Sequence, residues 1–371
     1  MRDYQRKYSV TLTVKGPVHI GSGQELKKKE YVFAENKVHI PDIARMYADM
    51  KRKGLGDAFE RYLLDDSQVS LGTWLEKNHI GKKEYLKWIR YSLDCGDTIW
   101  EKRRTVNIVC CIKDAYGLPY IPGSSLKGML RTILLAYEIK RHPEQFSAVK
   151  NDIVKEAGYG GRKGCLRKES EEIETIAFRK LKRDPKDRAN ALNDVMAGFI
   201  VGDSQPLGVE NLVLAQKVDM GVEKIPKSLP LLRECIKPGT KITFPLTIDT
   251  ALCPYMKEDI QQAIMYFGKV YNQTFRSSFT KNALTKGNYV WLGGGSGFAT
   301  KTVVYPLFGK EKGVRTVNTI LKTTLTQKVF FDHKHGEDLR KGVSPHMLKV
   351  TRYAGKLYEM GLCSFDMEEI Q

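Results

Sequence analysis

Between Tyr120 and Arg131 the chain reads Tyr-Ile-Pro-Gly-Ser-Ser-Leu-Lys-Gly-Met-Leu-Arg, a turn that opens directly into a helix. Leu126, Met129, Leu130, Ile133, Leu134 and Tyr137 recur at helical spacing and form one apolar face. Pro122 and Gly123 turn the chain sharply, and Ser124 or Ser125 is placed to cap the helix by accepting a first-turn N–H. Lys127 and Arg131 share a face beside the apolar one, so replacing them should leave folding intact. Unpaired N–H groups and two cations at a helix start suit a phosphate; an ordinary capped helix with solvated cations is the plain alternative. Ser124-x-x-Lys127 also fits a serine acyl-enzyme pattern, but no Ser-Asp-Asn or Lys-Thr-Gly element follows.

A chain of 371 residues has room for two or three domains with buried cores. Its 61 Lys and Arg exceed its 43 Asp and Glu, and the formal charge of +18 favours a polyanionic partner. No apolar signal core follows Met1, and no apolar run reaches membrane-spanning length. A soluble, cytoplasmic protein without a membrane partner is expected. The seven cysteines are scattered and odd in number, with no Cys-x-x-Cys, which implies reduced, mostly buried thiols.

Tyr8–Val14 alternates in period two and predicts a strand. Val18–Gly23 then makes a tight glycine loop whose N–H groups suit an anion, followed at once by Lys27, Lys28 and Lys29. His19 is either a ligand contact or a satisfied structural histidine. A short hairpin over residues 31–40 leads to helical insertion material at about 42–100, with Trp74 and Trp88 as core or interface anchors. Thr105–Ile112 predicts a strand. A second insertion at about 140–195 holds a glycine loop at Gly158–Gly164 and a charged, solvated stretch from Glu169 to Arg183. After the strand Phe199–Val201, Asp203 either orients a hydroxyl or an ion, or caps a turn.

Around Cys235–Gly239 the pattern restarts. Thr240–Ile248 predicts a strand, with Pro245 marking an edge or a bulge. Glu258–Tyr271 predicts a helix, and Val290–Leu292 a strand running into Gly293-Gly-Gly-Ser-Gly-Phe298. The segment after Thr300 predicts a helix, and Lys356–Cys363 a closing strand. Two α+β units are therefore expected, residues 1–235 and 236–371. The run Gly293–Gly297 matches neither a dinucleotide fingerprint nor a phosphate-loop ATPase.

Taken together, Gly16–Gly23, Ile121–Arg131, Phe199–Ser204, Gly293–Phe298 and the tail from Val343 to Cys363 resemble the repeat-associated (RAMP) superfamily of RNA-binding CRISPR proteins. More narrowly, the chain is similar to the fifth-subunit family of type III-A (Csm) effector complexes. The resemblance implies an α+β fold of two ferredoxin-like, RNA-recognition-type domains with helical and loop insertions. It also implies a non-catalytic subunit that binds CRISPR guide RNA, caps the backbone at the 3′ side of the guide and supports guide maturation. No cofactor or metal is expected from the residues. The other subunits of the complex are its partners, and a host nuclease is a further candidate. The residues set against RNA are His19, Gly21, Ser22 and Gly23 with Lys27 and Lys28; Ser124, Ser125, Lys127 and Arg131; and Gly293, Gly294, Gly295, Ser296 and Gly297.

Two other classes compete. His333, His335 and His346, expected on a basic surface loop, suit acid–base work in a metal-independent ribonuclease that processes CRISPR RNA. His333 and His335 also have the spacing to share a metal, without flanking cysteines at zinc-site spacing. A protein-interaction scaffold with an incidental basic face is the third reading.

Overall fold

A computed structural model describes residues 4–98, 106–159, 163–222, 225–280 and 287–370. Thr105 and residues 160–162, the centre of the expected glycine loop, lie outside the described residues.

The first strand, β1 (Gln5–Val14), buries Tyr8, Val10, Leu12 and Val14 on one face, as its alternation requires. The glycine-bearing β2 (Gly21–Leu26) and the hairpin β3 (Val32–Ala34) and β4 (Lys37–Pro41) follow. Next come the short helices α1 (Ile43–Arg52), α2 (Gly56–Leu64), α3 (Leu71–Lys77) and α4 (Lys82–Tyr85). They enclose a satellite core around Met46, Met50, Phe59, Trp74 and Trp88, so both tryptophans are internal anchors of this insertion. After β5 (Ile89–Asp94) and β6 (Ile108–Cys111), the opening turn starts α5 (Gly123–Arg141). The second insertion contributes α6 (Ser147–Tyr159) and α7 (Arg167–Phe178). Its Ile153, Ile173 and Phe178 join the main core, so the stretch expected to be solvated is amphipathic and packed. The strands β7 (Phe199–Val201), β8 (Leu212–Gly221), β9 (Lys227–Ile236) and β10 (Lys241–Asp249) lead to α8 (Lys257–Thr274) and β11 (Tyr289–Trp291). The chain ends through α9 (Val304–Thr324), α10 (Gln327–Asp332), α11 (Asp338–Lys341), β12 (Met347–Tyr353), β13 (Lys356–Glu359) and β14 (Leu362–Ile370).

One sheet has the order β11-β14-β1-β10-β7, antiparallel throughout. Apart from β11, the chain order β1-α5-β7-β10-α8-β14 laid out as β14-β1-β10-β7 is the split βαβ arrangement of a ferredoxin-like unit. The apolar faces of α5 and α8 pack together. The other sheet runs β2-β6-β9-β8-β5-β4-β3, with β12 added on β8 and β13 on β12. Two sheets with helical and loop insertions thus form the expected α+β, ferredoxin-like fold.

The sheets do not follow a sequential split into residues 1–235 and 236–371. β1 pairs with β10 and β14, and strands from both sides of residue 235 interleave in each sheet. The apparent restart at Gly239, which turns at φ +91°, is the crossing from β9 in one sheet to β10 in the other. Pro245 likewise sits inside a central strand rather than at an edge. Its carbonyl accepts Gly202 N–H at 3.0 Å, so its missing N–H faces the side on which the short β7 has already ended. Six cysteines are buried, Cys165 is half-buried, and all seven are free thiols. Among the described residues, no helix is long and apolar enough to cross a membrane.

Candidate nucleic-acid interface

The start of α5 is not capped by Ser124 or Ser125. Ser124 is exposed, Ser125 is half-buried, and Pro122 takes the cap position without a side-chain bond. Instead the segment after β7 folds back onto the turn. Asp203 Oδ1 accepts Gly123 N–H at 2.7 Å, and Ser204 Oγ accepts Ile121 N–H at 2.9 Å. A Cβ on Gly123 would overlap the carbonyl oxygen of Val201, which explains the glycine. A carboxylate from the segment after β7 therefore meets the positive end of the helix.

Lys127 and Arg131 face a cleft that is already balanced in charge. Lys127 Nζ donates to the Met196 carbonyl at 2.8 Å, and burial lowers its pKa. Arg131 donates through Nε to Glu174 at 2.6 Å, reaches Asp194 at 2.9 Å and lies over the Phe178 ring at 4.3 Å. Asp194 also holds Arg179 at 2.5 Å. Arg131 thus ties α5 to α7, and the expectation that its loss would leave folding untouched gives way to a structural role.

The two glycine loops support each other. Gly294 N–H donates to the His19 carbonyl at 2.7 Å, and a Cβ on Gly293 would overlap that same oxygen. His19 is buried, with Nδ1 2.7 Å from the Glu234 carbonyl, and burial lowers its pKa. Ser296 is buried and donates to the Gly293 carbonyl at 3.2 Å. Gly21, Ser22, Gly23 and Lys27 remain exposed, while Lys28 is half-buried.

Gly295 and Gly297 border a groove that the sequence did not disclose. It has a volume of about 390 Å³ and gathers Lys217, Arg233, Lys301 and Lys349. Strand pairing explains the gathering. β8 lies between β9 and β12, with Arg233 opposite Ala215 and Lys349 opposite Asp219. Lys217 lies between those two positions on the same face, where the β8–β9 register shifts. A Cβ on Gly295 would stand 3.3 Å from an Arg233 guanidinium nitrogen, so the glycine keeps the groove open. Asp219 bonds Lys349 at 2.8 Å; among the described residues no carboxylate bonds Lys217, Arg233 or Lys301. Burial, with help from neighbouring cations, lowers the pKa of Lys217 and of Lys301. Clustered cations with little neutralisation form a seat for closely spaced phosphates.

The histidines are arranged for structure. His335 and His346 are buried, and only His333 of the three is exposed, which corrects the expected surface loop. Asp338 lies between them, with one oxygen 3.2 Å from His335 Nδ1 and the other bonded to His346 Nδ1. Ser344 Oγ adds a third hydrogen bond to Asp338 at 2.6 Å. Burial pushes the Asp338 carboxyl up, but these bonds outweigh it and hold its pKa at about 2. The three side chains are close enough to one another to hold a metal ion, but each is already engaged in this hydrogen-bonded set.

Comparison with known proteins agrees with this architecture. The family model described as RAMP superfamily matches residues 11–299. The CRISPR system Cms protein Csm5 of Mycobacterium tuberculosis strain H37Rv is 31% identical, with 100% of both chains covered. The Streptococcus thermophilus Csm5 is 30% identical, covering 100% of this chain and 99% of its own. A chain of the cryo-EM structure of a type III-A Csm–crRNA–target RNA ternary complex superposes with a TM-score of 0.64 at 22% identity, covering 97% of this chain and 100% of that one. The crystal structure of T. onnurineus Csm5 gives 0.59 at 21% identity, covering 95% and 99%. With a family model over most of its length and relatives this similar from end to end, the chain belongs to the RAMP superfamily and is homologous to Csm5.

Proposed function

We propose that this chain is the non-catalytic RNA-binding subunit of a type III-A effector complex. It caps the backbone at the 3′ side of the guide in the cytoplasm and supports guide maturation. The observation that carries the reading is the groove of Lys217, Arg233, Lys301 and Lys349 beside the Gly293–Gly297 loop, in a chain similar to Csm5 along its whole length. A cationic track along one sheet face favours backbone contact, and backbone contact suits a subunit that must accept many guide sequences. The exposed Lys27, shortly after the exposed Gly21–Gly23 edge, adds a further cation beside the first glycine loop.

Complexes assembled without this chain are expected to carry guides with altered 3′ ends, or to lose them, as read by sequencing the bound RNA. Unchanged guide length, yield and subunit composition would remove the cap assignment. Mass spectrometry of the same purified complexes tests whether a host nuclease joins them through this chain.

A further inference from the structure

An apolar cavity of about 280 Å³ adjoins the cationic groove. Leu135, Ile153, Ile173 and Leu307 wall it, from α5, α6, α7 and α9. Phe298, Lys301 and Thr302 line the cavity and the groove alike, so the two spaces adjoin at these residues. The Thr302 hydroxyl oxygen is buried and has no hydrogen-bond partner among the described residues. An unpaired buried hydroxyl is costly, and a turn about χ1 that brings it to a ligand in the cavity removes the cost. Glu169 also lines the cavity, where a carboxylate opposes entry of a phosphate but accepts an N–H.

We infer that this cavity takes one unpaired nucleobase of the bound RNA, swung out of the phosphate track, packed on Phe298 and hydrogen-bonded by Thr302. The inference rests on the reading of the adjoining groove as a backbone site. At about 280 Å³ the cavity lies just below the usual range for ligand pockets, roughly 300–1,000 Å³, which suits one base rather than a stacked pair. Apolar walls, an aromatic face and one polar group match the way single-stranded RNA is held, by splayed bases whose phosphates lie on cations. Placing the base here lets the backbone stay on Lys301 and Arg233, because Lys301 belongs to both spaces.

The test uses the full chain and two fluorescent RNAs of equal length and charge, an oligoadenylate and its abasic ribose–phosphate counterpart. Wild type is expected to prefer the oligoadenylate by about 5- to 150-fold, the size of one base–aromatic stack. Phe298→Leu, which keeps apolar volume, should bring that ratio towards one while the abasic affinity holds. Thr302→Val, nearly the same shape, should reduce the ratio by about 2- to 10-fold. Thermal melting confirms that each variant is folded. If both variants keep the wild-type ratio, the inference is overturned. The same ratio combined with loss of subunit assembly would assign the cavity to a partner's side chain and also overturn it. Lys217→Ala with Arg233→Ala should weaken both RNAs by equal factors. If that pair changes neither affinity, the groove reading itself fails, and the inference with it.

Discussion

Asp203 Oδ1 and the backbone N–H of Gly123 meet at 2.7 Å across a separation of 80 residues, and this contact fixes the start of α5. Asp203→Ala is therefore expected to cost about 0.5–2 kcal/mol in urea unfolding, the range for a lost N-cap. Asp203→Asn should retain part of that, since the amide oxygen still accepts. A wild-type midpoint for the alanine variant would show that the contact contributes nothing.

Arg131→Ala should destabilise the fold by about 1–3 kcal/mol, because Glu174 and Asp194 would lose a partner while remaining only partly exposed. Arg131→Lys should recover little, since an ammonium cannot serve both carboxylates and lie flat over Phe178. An unchanged melting temperature combined with weaker RNA binding would return Arg131 to the role of phosphate contact.

Removing Lys217 or Arg233 should flatten the dependence of RNA affinity on salt by roughly 0.7 per lost phosphate contact. Stability should hold, as neither side chain is in an ion pair among the described residues. Titrations at several salt concentrations check the slope, and equal slopes for variant and wild type would place the RNA elsewhere.

The cluster around Asp338 makes an acid-limb prediction. Its pKa of about 2 lies below the ordinary aspartate value of 3.8. The associated stabilisation, about 2 kcal/mol, is present above the higher value and is lost as pH falls from about 4 towards 2. Asp338→Asn should remove this component of acid sensitivity. Unfolding midpoints measured between neutral pH and pH 3 would reveal it, and parallel profiles for both proteins would refute the assignment.

Gly293→Ala should be severely destabilising, by about 1–3 kcal/mol or more, because the residue has φ +82° and its Cβ would overlap the His19 carbonyl. Soluble, normally melting protein would contradict the close approach of the two glycine loops.

What could be read in advance depended on how far apart the partners lie in the chain. The helix after Ile121 and the strand Gln5–Val14 announce themselves by periodicity, which is a local property. The glycine loops and the helix start were visible as motifs, and the resemblance they carry led to the family and the fold. The groove was not visible. Lys217, Arg233 and Lys349 are single cations in three separate strands, and only the pairing of β8 with β9 and β12 puts them on one face. The partners of Lys127 and Arg131 were hidden for the same reason: Met196, Glu174 and Asp194 reach them through the packing of the second insertion. His335 and His346 stand out in the sequence as chemistry, but nothing local in it shows the Asp338 carboxylate that joins them in the interior.

The position of β1 bears on how the protein is made. Val10 pairs with Phe244 on one side and with Met367 on the other. A ribosome adding about 5–20 residues per second needs on the order of 10–50 s after β1 to supply its first neighbour, and longer to supply the second. For that interval β1 is a strand with one apolar face and two open edges, the kind of segment that recruits other chains. This sheet therefore closes late in synthesis or after it, and yield should respond to chaperone supply more than the modest size of the chain suggests.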